Sequence, residues 1–152
     1  MFGFAFMAVV TAPLVVIDVR ERRLPNRITL PAIAVVFASL SAAATWSSDW
    51  LRFWIAVVWG AGGFVVGLLL NLRGMLGMGD VKLLAALLPL LGWLGAETPL
   101  YGLLAAFTAA ALVLLVRFGS GRLRLDSTLA MGPYLLGGFW LVAAVSWAYS
   151  LG

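Results

Sequence analysis

Six long apolar runs, parted only by short polar breaks, constrain this chain more than any other feature. They fall at residues 1–17 and, more loosely, at 28–46, 50–71, 79–95, 100–118 and 128–151. Runs of ~20 residues match helices crossing a hydrocarbon layer of ~30 Å. Lipid offers the backbone no hydrogen-bond partners, so each span must satisfy its own as a helix. The expected fold is all-α: a polytopic membrane bundle of about six transmembrane helices, forming a single domain over residues 1–152. Composition supports this, since only 11% of residues are charged against roughly 25% in a soluble domain. No interdomain linker, low-complexity tract or convincing internal repeat interrupts the pattern.

The polar breaks indicate orientation. Positive charge follows the first apolar run at Arg20, Arg22, Arg23 and Arg27, whereas a signal peptide carries it in front. The first run therefore reads as a retained span. The loops after spans one, three and five hold those four arginines together with Arg73, Lys82, Arg117, Arg122 and Arg124; the opposite turns hold Arg52. Basic loops stay in the cytoplasm, so both termini are expected outside a cytoplasmic membrane. Trp46, Trp50, Trp54, Trp93 and Trp147 cluster near the outer span ends, where aromatic belts form.

The chain has no cysteine and no histidine. Disulfides, zinc–thiolate sites and Ser-His or Cys-His nucleophile pairs are thereby excluded. The sequence calls for no metal and no cofactor. The net charge of +4 sits in short inter-helix loops and is not read as nucleic-acid binding.

The six acids are more informative than the total charge. Asp18 and Asp80 sit at cytoplasmic ends of different spans, each against a long apolar segment. Asp80 follows Gly77-Met78-Gly79 and precedes "VKLL", so it could cap the N-terminus of span four. After Asp80 span four offers only about 15 apolar residues, short for a ~30 Å hydrocarbon core; it is either short and tilted or begins before Asp80. Asp18 ends a span, where the helix dipole disfavours an anion; its structural reading is an interfacial anchor or an ion pair with an arginine. Acids at the lipid edge are costly and often functional. Asp126 reads as a cap before span six, and Asp49 and Glu97 as solvated turn residues.

Two carboxyl groups held close cannot both ionise easily. The charged one can take a proton from a shared water, and the protonated one can stabilise an oxyanion. That amounts to amide hydrolysis without metal, thiol or imidazole. Gly77 and Gly79 would let backbone approach a substrate or adopt positive φ. Gly63 and Gly67, four apart in span three, form a small-xxx-small packing pattern.

These motifs resemble those of the type IV prepilin peptidases. "IDVRERRLPNRITLP" (17–31) is similar to that family's first signature, an aspartate ending a span before a basic stretch and Pro-Asn. "GMGDVKLLAALLPLLG" (77–92) is similar to the second, Gly-x-Gly-Asp followed by x-Lys, and "MGPYLLGG" (131–138) to a late Gly-Pro segment. The resemblance implies a membrane aspartic endopeptidase that cleaves the basic leader of prepilin-like or preflagellin-like proteins at the cytoplasmic face. It implies Asp18 and Asp80 as the catalytic pair, with Gly77, Gly79, Lys82, Pro25 and Asn26 shaping the site. The implied partners are a prepilin-like substrate and the lipid bilayer. Larger members carry an N-terminal cysteine-bearing region linked to N-methylation. This chain begins at its first span without cysteine, so methyltransferase activity is not expected.

Two alternatives stand beside this reading. One is a broader GxGD protease cutting within a substrate helix. The other is a small transporter or assembly subunit whose acids relay protons or pair with a partner's arginines.

Overall fold

A computed structural model describes residues 2–21, 24–120 and 130–151. The described residues form six helices and no strand: α1 Phe2–Glu21, α2 Asn26–Ser47, α3 Trp50–Leu72, α4 Met78–Leu94, α5 Thr98–Gly119 and α6 Gly132–Leu151. Of these, α1, α2, α3 and α5 are long and apolar enough to cross a membrane.

The helix ends follow local chemistry. Pro25, in extended conformation, precedes α2, and its carbonyl accepts the N–H groups of Ile28 and Thr29 at 3.0 and 3.1 Å. Asp49 caps α3 by accepting from the Arg52 N–H at 3.2 Å, and its carboxylate also pairs with the Arg52 guanidinium. Glu97 precedes α5, where Pro99 needs no N–H partner in the first turn. Both acids therefore lie in turns, as the sequence suggests. Span six was expected from Thr128, which lies outside the described residues; Ala130 and Met131 are not helical, and α6 begins at Gly132-Pro133. Asp126, Arg22, Arg23, Arg122 and Arg124 also lie outside the described residues.

The helix α4 forms the axis of the bundle. It packs against α2, α3, α5 and α6, and every residue from Leu83 to Trp93 is buried. A helix apolar on all sides is stable only when surrounded. Its 17 residues span about 25 Å at ~1.5 Å per residue. That is short for a lipid-facing span, but protein covers its sides. Trp93, expected in the interfacial belt, is instead packed inside at 8% exposure. Trp46, Trp50 and Trp54 remain exposed.

Small residues let α3 approach α4 closely. Gly60, Gly63 and Gly67 are buried on one face of α3. A Cβ at Gly60 would come within 2.7 Å of the Pro89 ring, and one at Gly67 within 3.2 Å of Val81. A Cβ at Gly63 would collide with Leu88. The small-xxx-small pattern thus does the packing expected of it, in an antiparallel pair. On the far side, Trp140 donates to the Thr11 hydroxyl at 2.9 Å, and Phe4 stacks on Phe139, joining α6 to α1.

Candidate active site

The alternating helices bring the end of α1, the start of α2, the start of α4 and the start of α6 to one end of the bundle. A cavity of about 320 Å³ lies there, lined by Asp18, Leu24, Asn26, Gly77, Met78, Gly79, Asp80 and Lys82. Both candidate aspartates line it. Of the other expected site residues, Gly77, Gly79, Lys82 and Asn26 also line it. Pro25 does not; it sets the start of α2.

Asp80 is not a helix cap. The cap position belongs to Gly77, and α4 begins at Met78, making Asp80 the third helical residue. From there its carboxylate lies against Gly77, a Cβ on which would stand 3.1 Å from Oδ2, and it occupies the place of the acid in a capping box. The other oxygen, Oδ1, is buried, with no hydrogen-bond partner among the described residues. An unpartnered buried carboxylate oxygen is uncommon in a purely structural role.

Asp18 is 5% exposed. Its Oδ2 accepts from the backbone N–H of Gly132 at 3.0 Å. Among the described residues no arginine pairs with Asp18, and Arg22 and Arg23 of the anticipated basic stretch lie outside them; the ion pair among the described residues is Arg52–Asp49, at the opposite end of the bundle. Lys82 donates to Asn26 Oδ1 at 2.6 Å.

The two glycines before Asp80 serve close approach rather than unusual dihedrals. Gly77 has φ −71°, which any residue adopts, and the positive-φ glycine of this loop is Gly74. A Cβ at Gly79 would lie 2.7 Å from Leu24 Cβ and 3.1 Å from Leu24 N, so Gly79 lets the α1–α2 loop rest directly on α4. A Cβ at Gly77 would lie 3.1 Å from Asp80 Oδ2. The loop ahead of Gly77 is tied by Asn71, which donates to the Leu76 carbonyl at 2.8 Å.

Leu24, Asn71 and Gly132 did not emerge individually from the sequence. Asn71 had a usable signal, being the one amide side chain near the end of an apolar span. A larger apolar cavity, about 430 Å³, lies at the opposite end between α1, α2 and α4 and has no acid or base in its lining.

The model of the type IV leader peptidase family matches residues 4–116. The chain belongs to that family. Two proteins from Burkholderia pseudomallei, of strains 1026b and K96243, are each named prepilin leader peptidase/N-methyltransferase. Each is 36% identical to this chain over 130 residues, covering 80% of the chain and 39% of the relative. The chain thus spans well under half the length of these curated relatives. No solved structure matches it. Within this leader peptidase family member, the matched region contains both cavity aspartates, whereas α6 and Gly132 lie beyond it.

Proposed function

We propose that this chain is a membrane-embedded aspartic endopeptidase that removes the leader from type IV prepilin-like proteins, with Asp18 and Asp80 as its catalytic pair. The observation that carries the reading is the shared cavity. Two acids on different helices, remote in sequence, line one small polar space at one end of an apolar bundle. Family membership supplies the substrate class.

The chemistry follows from the pair. With one proton between them, the charged carboxylate removes a proton from a water held in the cavity, and the water oxygen attacks the scissile carbonyl carbon. The protonated partner donates to the carbonyl oxygen, stabilising the tetrahedral intermediate. Collapse expels the amine, which takes its proton from the pair and regenerates it. The unpartnered Oδ1 of Asp80 is a ready acceptor for such a water. Gly79 lets the α1–α2 loop close on α4 beside the cavity, and Gly77 leaves room for the Asp80 carboxylate.

Orientation follows from charge. Arg20, Arg27, Arg73, Lys82 and Arg117 all belong to the cavity end of their helices or its loops, so this end faces the cytoplasm of an inner membrane. A basic leader would meet the site there, just before the substrate's own apolar helix.

The test is co-expression with a prepilin-like substrate, reading the size shift on leader removal. Wild type processes the substrate, and Asp18→Asn and Asp80→Asn each abolish processing while still inserting and folding. Processing by either variant at the wild-type rate would reject the assigned pair.

A further inference from the structure

Asp18 lies in the last turn of α1, where the helix dipole opposes a negative charge, and it is nearly closed off from solvent. Compensation comes from 114 residues away, through the Gly132 N–H to Oδ2 at 3.0 Å. Gly132 is the first residue of α6, so its N–H is among those a helix cannot satisfy internally. Accounting for the rest of that turn singles it out. Pro133 has no N–H, and the N–H groups of Tyr134 and Leu135 go to the Met131 carbonyl at 3.1 and 3.0 Å. Gly132 thus provides the one N–H of the first four residues of α6 that is free to meet Asp18.

Space makes the same residue specific. A Cβ at position 132 would stand 2.6 Å from Asp18 Oδ2 and 3.1 Å from its Cγ. Any other amino acid must push the carboxyl aside. Conformation does not demand glycine here; the approach of the acid does.

We infer that Gly132 is the positioning residue of Asp18, so that the N-terminus of α6 is a third component of the active site, aiming that carboxyl into the cavity it shares with Asp80. This rests on the reading of Asp18 as catalytic. Among the described residues, the charged groups that line the cavity with Asp18 are Asp80 and Lys82, both from α4, while α6 contributes the Gly132 N–H. Displacing that donor removes an interaction that favours the ionised carboxyl.

Three glycines of α6 make the experiment discriminating. At Gly137 a Cβ meets nothing within 4 Å; at Gly138 it strikes the Gly102 carbonyl and comes within 2.8 Å of the Ala106 N. With purified enzyme and a prepilin-like substrate, Gly132→Ala lowers kcat about 10- to 100-fold, the scale of a small misplacement of a catalytic group. Its KM changes little, its thermal unfolding matches wild type, and the acid limb of its pH–kcat profile moves upward. Gly137→Ala behaves as wild type. Gly138→Ala unfolds at lower temperature but keeps the wild-type pH profile. Asp18→Asn is inactive.

Wild-type kcat and pH profile in Gly132→Ala, beside an inactive Asp18→Asn, overturns the inference alone. Wild-type processing by Asp18→Asn overturns the underlying reading and the inference with it. Should Gly132→Ala fail to fold, glycine-labelled wild-type enzyme decides by NMR. The Gly132 amide resonance titrates with pH and loses that titration in Asp18→Asn; an amide unresponsive across the activity range overturns the inference.

Discussion

The Lys82 ammonium donates to Asn26 Oδ1 at 2.6 Å, tying the second turn of α4 to the first residue of α2 on the wall of the cavity that both aspartates line. The contact is solvent-exposed, so its worth is modest, and a charge-assisted bond in this setting changes rates about two- to tenfold. Lys82→Met and Asn26→Ala should each lower kcat/KM by that amount. The double variant should be no worse than the poorer single, since both remove one contact. Losses that multiply would assign the two residues separate roles.

Gly79 and Gly77 differ in what stands against them. The Cβ of Gly79→Ala would meet Leu24 at its Cβ and backbone nitrogen, and neither can swing away. Overpacking of that kind costs about 1–3 kcal/mol, and lifting the loop should reduce leader processing at least tenfold. Leu24→Ala does not rescue it, because the obstructing atoms remain. Gly77→Ala meets only the Asp80 carboxylate, which can rotate. It should leave thermal unfolding nearly unchanged while lowering activity. Equal loss of stability in the two variants would contradict this division.

What was legible in the sequence, and what was not, follows the reach of each interaction. Six apolar runs predict six helices because lipid leaves the backbone no alternative, and Gly63 and Gly67 disclose a close helix contact because the pattern is local. The start of α4 was ambiguous because Gly77 and Asp80 are both acceptable at a cap and nothing local ranks them. Trp93 looked interfacial because its position near a span end is visible, whereas the four helices enclosing α4 are not. The Gly132–Asp18 contact was hidden for the same reason: the glycine of "MGPYLLGG" is visible, but its partner is 114 positions away.

The α3–α4 seam offers a test of packing that does not involve the site. A Cβ at Gly60 would press on the Pro89 ring at 2.7 Å, while one at Gly62 meets nothing within 4 Å. The proline ring is rigid, so Gly60→Ala should destabilise by about 1–3 kcal/mol. Gly62→Ala should be neutral or stabilise by up to ~1 kcal/mol through helix propensity. Thermal unfolding in detergent distinguishes them. Equal effects would mean that α3 is not seated against α4 along this face.

The asparagine variants separate chemistry from architecture. Asp18→Asn keeps an acceptor oxygen for the Gly132 N–H, and Asp80→Asn keeps the size and shape of the side chain that lies against Gly77. Each should therefore fold with stability within ~1 kcal/mol of wild type, the range of substitutions that break no buried contact. Neither can exchange the proton that hydrolysis requires, and loss of positioned acid–base catalysis costs about 10²–10⁴ in rate. The wild-type enzyme should show a bell-shaped dependence of kcat/KM on pH, because the pair works with one proton and fails with none or two. Its two limbs belong to the pair jointly, not to either residue. Rates across pH for wild type and both variants, set beside their unfolding temperatures, check both halves. A large loss of stability in either variant would make that aspartate a structural element. A pH profile flat through the range where the protein stays folded would remove the shared proton from the mechanism.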